Sequence, residues 1–566
     1  MKDRYSNIPS HLKEYIVSQN YNDYTQKDQA CWRFIMDVSQ SFFKDYAHDA
    51  YLDGLQGTGV STNYIPRIED MDKKLNEFDW RAVPVRGFLP PTIFMQFQAH
   101  SILPIASDMR TVNHINYTPA PDIVHEAAGH SPIIIDRKYS KFLKEYGECA
   151  ANALSSNEDH EIYLSIRHLS DIKENPRASL DQIKSAEENL EQLINNITFI
   201  SEAAYLARLN WWTVEYGLVG TLEKPQIYGA GLLSSVSESY NAIFGDVERI
   251  PLSLDCIKYS YDITEQQPQL FIAKDFDHLS DVLSEFRQQM AFQNGGIESI
   301  ENAIKCKTVS TFTLDSGIQI SGIPIKLLSD KKERYYMFSG PVQLSYDDLE
   351  LDGHGGEYHS SGYSSPLINR NIINKLDRLA IGEEVKLQLD VDIKISGVIN
   401  KKLKHDGKLL IVSLENCTVS NKSNILFDPS WGIFDLACGE FVNSVRGGPA
   451  DIKNYHKYMN IELPNKDRPE YITNLSEEDK NLIKLYSDIH IFDNKNDVDD
   501  RQQLIELVDK VIESFPNEWL LFIEIYKIAD NKNYIDLSKQ IKNIILSINY
   551  ENNDLFEIVK RRISQI

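Results

Sequence analysis

A chain of 566 residues, 42% hydrophobic and 25% charged, has the composition of a globular protein and exceeds what one hydrophobic core usually supports, so two or three domains are expected. Its formal net charge of -24 argues against nucleic acid or an anionic membrane as partner, because phosphate surfaces repel such a carboxylate excess. The six cysteines, Cys31, Cys149, Cys256, Cys306, Cys417 and Cys438, form no CxxC pair, which excludes zinc knuckles and fits a reducing cytoplasm.

The first residues, MKDRYSNIPSHLKEY, lack the apolar core of a signal peptide, and no apolar run approaches bilayer length, so a soluble cytoplasmic protein is expected. Apolar positions recur at helical spacing in CWRFIMDVSQSFFKDY (31–46) and LSDVLSEFRQQMAF (279–292). The longest helical stretch is 179–219, entered through Ser179 and Asp181 as caps. From 305 to 445 the texture changes to TVSTFTL, GIQISGIPIKLL, VKLQLDVDIKISGVI and KLLIVSLENCTV, short β-branched or alternating runs that predict strands. The Gly and Pro cluster of DPSWGIFDLACGEFVNSVRGGPADIKNY (428–455) reads as loop, with Trp431 as core. Helical spacing then returns, predicting four or five helices to the C-terminus. The expected fold is a mainly α catalytic domain (1–300), a small β domain (305–445) and an α-helical C-terminal region (456–566) for oligomerisation or regulation.

The most informative segment is YTPAPDIVHEAAGHSPIIID (117–136). In a zinc-protease HExxH motif the histidines stand four apart and share a helix face. Here His125 and His130 stand five apart, about 140° from each other on a regular helix, so they converge only at a helix end or through a local distortion. The alternative is that one caps a helix and the other packs in the core.

With its neighbours, PDIVHEAAGH resembles the iron-binding motif of the aromatic amino acid hydroxylases, and WWTVEYGL (211–218) resembles the family's WxTVEFGL segment. The resemblance implies Fe(II) held by His125, His130 and Glu215. Two imidazoles and a carboxylate on one face of an octahedral ion leave adjacent positions open for oxygen chemistry. Asp122 either orients an imidazole from beyond the ligands or caps the helix.

Other segments extend the resemblance. RTVNHINYTPAP (110–121) is similar to the segment that holds the substrate amino acid through an arginine and a threonine, implying Arg110 and Thr118; a guanidinium fork suits a carboxylate. VPVRGFLPPTIF (83–94) resembles the pterin-binding loop, implying Gly87, Leu89 and a stacking Phe94, with Glu126 facing the pterin. IYGAGLLSSVSE (227–238) resembles the family's YGAGLLSSxGE and implies Ser234 and Glu238 near the iron and substrate, whose ring would lie against Trp211 and His125. SYDITEQQP (260–268) resembles the active-site loop of phenylalanine hydroxylases, with Ile263 at a position that favours phenylalanine over tyrosine.

The resemblance spans about residues 25–295 and implies phenylalanine 4-hydroxylation with Fe(II), a tetrahydropterin and O2; tryptophan or tyrosine is the alternative substrate. The chain departs from the family in a helical insertion at about 155–200 and in Asn210, where an aromatic residue is usual. A zinc hydrolase using Glu126 as base, and a non-catalytic scaffold binding a partner, are the competing readings. In GHGGEYHSSGYSS (353–365), His354 and His359 flank Glu357; so much Gly and Ser reads as a solvated loop rather than a second metal site.

Overall fold

The helix Gln26–Tyr46 organises the first half. Thr25 and Asp28 close it with a reciprocal capping box, and Trp32, Phe34, Ile35, Met36 and Phe43 are buried along it. The computed structural model describes residues 4–115, 120–175, 177–261, 266–329, 334–389, 392–422, 424–459, 463, 474–493, 500–550 and 553–565. Beside this helix a βαβ unit pairs Arg81–Val85 in parallel with Ile102–Ala106 through the helix Pro91–Ala99. A second small sheet runs in the order Pro225–Ile227, Leu218–Gly220, Gln269–Ala273, Glu248–Pro251.

The stretch 179–219 is not one helix. Leu180–Asn195 begins at a Ser179 capping box, and the chain breaks at the polar Asn195, Asn196 and Thr198. Ser201 then caps a new helix, Glu202–Asn210, which passes into a π-helical turn, Trp211–Glu215. Asn157–Glu174 and Leu180–Asn195 form the inserted hairpin, and the Tyr163 hydroxyl donates to the Phe88 carbonyl at 2.8 Å, tying the hairpin to the loop after Arg81–Val85.

The β region contains two sheets. In the first, the order is Leu349–Glu350, Arg334–Tyr346, Ile318–Ser329, Ser310–Leu314, Val442–Gly447, with Gly362–Pro366 also on Arg334–Tyr346. In the second, Glu384–Gln388, Ile393–His405, Lys408–Asn421 and Asn424–Phe427 follow in order, with Phe434–Ala437 on Lys408–Asn421. Phe312, Ile320, Val342 and Leu344 of the first sheet share one apolar cluster with Leu410, Ile411 and Ala437 of the second.

Three readings are corrected here. Segment 428–455 is not all loop, because the short apolar runs around Phe434–Ala437 and Val442–Gly447 pair with strands distant in sequence, and the Gly/Pro cluster only terminates the second. Trp431 is exposed, edge-on to Phe427, rather than core. Segment 353–365 is not wholly solvated: Glu357 and Tyr358 face water, but His354 and His359 are buried, and their carbonyls accept from Leu344 and Val342 of Arg334–Tyr346.

The C-terminal helices Glu477–Asp493, Asp500–Ser514, Trp519–Asn531, Ile535–Ser547 and Asn553–Gln565 do not build a separate core. Tyr486, Trp519, Ile523 and Ile563 belong to the same apolar cluster as Phe34, Ile35 and Met36. Phe34 meets Trp519 edge-on at 5.0 Å, and Asp37 receives Lys527 and Arg562 at 2.7 and 2.6 Å. Burial alone would raise the Asp37 carboxyl, but these two cations hold it below its ordinary range. Among the described residues no helix is long and apolar enough to cross a membrane.

Removing the Trp519 ring leaves a cavity against Phe34. Trp519→Ala is expected to lower the urea-unfolding free energy by about 3 to 5 kcal/mol; a loss under about 1 kcal/mol would show that the C-terminal helices are only loosely attached.

Candidate metal centre

His125 and His130 occupy a π-helical segment, Val124–His130, in which the Ser131 N–H reaches back five residues to the Glu126 carbonyl at 3.2 Å. With roughly 4.4 residues per turn, a five-residue interval brings the two imidazoles to within about 50° of one another. The local distortion required by the sequence is therefore present. Gly129 permits it in this packing, because a Cβ there would lie 2.7 Å from the Ala230 carbonyl oxygen of the neighbouring helix Ala230–Leu233. Glu215 closes the second π turn, whose Tyr216 N–H donates to the Trp211 carbonyl at 2.8 Å.

These segments bring three donor atoms together. His125 Nε2 stands 3.1 Å from His130 Nε2 and 3.3 Å from Glu215 Oε2, and His130 Nε2 stands 3.4 Å from Glu215 Oε1. Neighbouring ligands of an octahedral ion with bonds of about 2.1 Å lie about 3.0 Å apart, so the separations fit one ion gripped on a face. Burial works to raise the Glu215 carboxyl, yet the His130 and His125 imidazoles outweigh it and hold the group well below the usual carboxylate range. Glu126 is different. Its Oε2 is buried without a hydrogen-bond partner among the described residues, 3.9 Å from His130 Nε2, and burial pushes its carboxyl up to about 8.

A second set of contacts sets the histidine in place. Arg110 and Asp122, both buried, form a fork in which Nε donates to Oδ2 at 2.9 Å and Nη2 to Oδ1 at 2.7 Å. Asp122 also accepts the backbone N–H of Arg110 and of His125, each at 3.0 Å. Burial opposes its charge, but Arg110 keeps Asp122 below its ordinary value. Arg110 Nη1 donates to the Ser234 carbonyl at 2.9 Å, and the Ser234 hydroxyl lies 3.0 Å from His125 Nδ1 while donating to the Ala230 carbonyl. Ser234 therefore orients the His125 ring, and Asp122 fixes backbone rather than imidazole. Of the five guanidinium N–H groups, one on each terminal nitrogen of Arg110 is left for a ligand carboxylate among the described residues.

Phe94, half-buried, places its ring 6.2 Å from that of His130. Gly87 turns the preceding loop at φ +65° with exposed backbone, whereas the Leu89 side chain packs among Ile8, Leu12 and Phe97. Trp211 is clamped between Tyr216 and Tyr261, centroids 4.7 and 4.3 Å away, and its indole N–H donates to Gln267 Oε1 at 3.1 Å. The Glu238 carboxyl accepts the Gln267 backbone N–H, and Gln267 in turn holds the Trp211 indole. Asn210 donates from its amide to Glu215 Oε1 at 3.4 Å, one π turn away. Tyr216, Tyr261 and Gln267 were not singled out from sequence, because nothing in a linear pattern marks residues that only buttress an indole. Thr118 and Ile263 lie outside the described residues.

Burial pushes the Glu238 carboxyl to about 7 against a usual value of 4.5, with the Gln267 N–H opposing the rise. Its contribution to stability is thus complete in acid and lost as pH rises through 7. Glu238→Gln is expected to stabilise the protein by about 1 to 3 kcal/mol at pH 8 and not at pH 4.5, read by urea unfolding; an equal effect at both values would show that Glu238 does not titrate in this way.

Residues 2–165 and 190–296 match the family model of the biopterin-dependent aromatic amino acid hydroxylases. The gap in the match falls within the inserted hairpin. The phenylalanine-4-hydroxylase of Mesorhizobium japonicum is 28% identical over 291 residues, covering 51% of this chain and 86% of that protein. That of Ralstonia nicotianae is 27% identical over 284 residues, covering 48% and 77%. The chain is also similar, at 24% identity and a TM-score of 0.38, to the crystal structure of Chromobacterium violaceum phenylalanine hydroxylase with bound iron(III) and 7,8-dihydrobiopterin, over 49% of this chain and 86% of that one.

Proposed function

We propose, for a chain whose first half is a domain of the biopterin-dependent aromatic amino acid hydroxylase family, that the reaction is the 4-hydroxylation of phenylalanine to tyrosine, using Fe(II), a tetrahydropterin and O2. The observation that carries this reading is the convergence of His125, His130 and Glu215, together with an Arg110 guanidinium that keeps two N–H groups free of partners among the described residues.

In this reading the two imidazoles and the Glu215 carboxylate hold the iron. Fe(II) held there and a tetrahydropterin beside it would supply the electrons to reduce dioxygen, so that one oxygen atom could be delivered to the aromatic ring and the other to the pterin. The protein's own contribution is position and desolvation. Arg110, itself immobilised by Asp122, takes the amino acid's carboxylate on its outer fork, and the sequence resemblance assigns Thr118 to the same substrate. The aromatic ring is set against Trp211, which cannot rotate between Tyr216 and Tyr261. Phe94 would offer a face for the pterin, Gly87 and Leu89 would supply backbone beside it, and Glu126, whose Oε2 has no hydrogen-bond partner among the described residues, would face it. Ile263 supports phenylalanine as the substrate. Six buried, unpaired cysteines support a cytoplasmic setting. A homo-oligomer through the C-terminal half is supported by the apolar residues its helices leave outside, such as Ile491 and Ile535.

Apoprotein reconstituted anaerobically with Fe(II), then given tetrahydropterin, oxygen and each aromatic amino acid, is expected to form tyrosine from phenylalanine. His125→Ala, His130→Ala and Glu215→Gln should each abolish this with circular dichroism unchanged; activity in all three would overturn the ligand assignment.

Arg110→Ala would strand the buried Asp122, so Arg110→Lys is the sharper test of the anchor. It keeps the charge and loses the fork, and the apparent KM for phenylalanine is expected to rise about 10- to 100-fold. An unchanged KM would make Arg110 a purely structural partner of Asp122.

A further inference from the structure

A second cluster of metal-binding side chains lies outside the catalytic half. His354 and His359 come from the segment that follows Leu349–Glu350 at the edge of the first sheet, and Asp435 comes from Phe434–Ala437 of the second. All three are buried, with no more than 8% of any of them exposed. His354 Nδ1 stands 3.4 Å from His359 Nε2 and 3.9 Å from Asp435 Oδ2, and the three donor atoms lie within 4.8 Å of one another.

The backbone that presents them is built rather than loose. The His354 carbonyl accepts from the Leu344 N–H and the His359 carbonyl from the Val342 N–H, so both residues are held to the buried strand Arg334–Tyr346. Gly355 and Gly356 allow the turn between them to press against Glu350 and the Tyr458 ring, where a Cβ would lie 2.5 Å from either. Asp435 is fixed from its other side, its Oδ1 accepting from the Ser413 hydroxyl and its carbonyl from the Tyr363 hydroxyl. What remains is Asp435 Oδ2, a buried carboxylate oxygen that no donor among the described residues reaches at hydrogen-bond distance, turned toward His354, with the Tyr358 hydroxyl the other group on this carboxyl. A buried carboxylate left so is costly unless a cation meets it.

We propose that His354, His359 and Asp435 form a second metal site, which takes a divalent transition ion of the zinc type and pins the two sheets of the β region together. Two imidazoles and one carboxylate are a donor set such ions favour. The 3.4 Å between the imidazole nitrogens matches the edge of about 3.4 Å in a tetrahedral ion with bonds of about 2.1 Å. A rotation of the Asp435 side chain closes the remaining distance, and a water completes the fourth position. The half-exposed Tyr358 ring, 4.7 Å from that of His359, stands over the site on the solvent side.

The test is a Co(II) titration of metal-free full-length protein, followed by visible absorption and by metal analysis of the gel-filtered complex. Two Co(II) ions per chain are expected, one giving the intense band of a tetrahedral site and one the weak band of an octahedral site. Asp435→Asn and His359→Gln should each lose the intense band and one ion while keeping the weak band. Glu215→Gln should do the reverse. One Co(II) per chain in the parent protein with only the weak band would overturn the proposal, as would an unchanged intense band in Asp435→Asn. If either β-region variant fails to keep the parent circular dichroism, the Glu215→Gln protein decides alone: a single tetrahedral Co(II) supports the second site, and none excludes it.

Discussion

On a regular α-helix, side chains five positions apart point about 140° away from each other, and the metal centre depends on the backbone escaping that constraint between Val124 and His130. The escape is a change in hydrogen bonding, from four-residue to five-residue spacing, and it occurs twice. Trp211–Glu215 makes the same change where it delivers the carboxylate. Wider turns leave room at the helix surface, and neighbouring backbone fills it. The Ala230 carbonyl approaches Gly129, and Glu215 presses its own carbonyl on Gly229, where a Cβ would lie 2.4 Å away. The glycines of the GAG run and of HEAAGH are thus two halves of one close contact.

Around this contact, one buried ion pair does three jobs. Asp122 holds Arg110 as a fork, caps the N–H of His125, and so links the proposed substrate anchor to the first proposed metal ligand through a single carboxylate. Arg110 in turn fixes the Ser234 carbonyl, and the Ser234 hydroxyl sets the His125 ring. A buried pair of this kind adds little net stability by itself, but breaking it leaves a charge with no partner. Its value here is geometric, since the fork cannot shift without moving the imidazole.

Much of this was legible in the residues. The residues proposed as ligands, as the arginine anchor and as the aromatic beside them sit in dense local motifs, where a few side chains must meet across one or two turns. The strands of the β region were legible as alternation, as in the run around Ile318–Ser329. What stayed hidden depends on partners distant in sequence. Phe434–Ala437 is four residues long and becomes a strand only by pairing with Lys408–Asn421, so a reading of its Gly-rich surroundings missed it, and Asp435 with it. Likewise, amphipathic spacing in the C-terminal helices announces a buried face without saying what buries it. Pairing Trp519 with Phe34 requires the folded chain.

That last packing has a consequence in time rather than in space. Helix Gln26–Tyr46 leaves the ribosome well before its partner does, since Asp37 meets Arg562, 525 positions later in synthesis. Domains otherwise fold as units while the chain emerges. Here one face of helix Gln26–Tyr46 waits for Trp519–Asn531 and Asn553–Gln565, so while the β region is synthesised the nascent chain carries an apolar strip that its final partners do not yet cover. Its burden on the cell's chaperones is therefore set by how fast translation runs through the β region between the two.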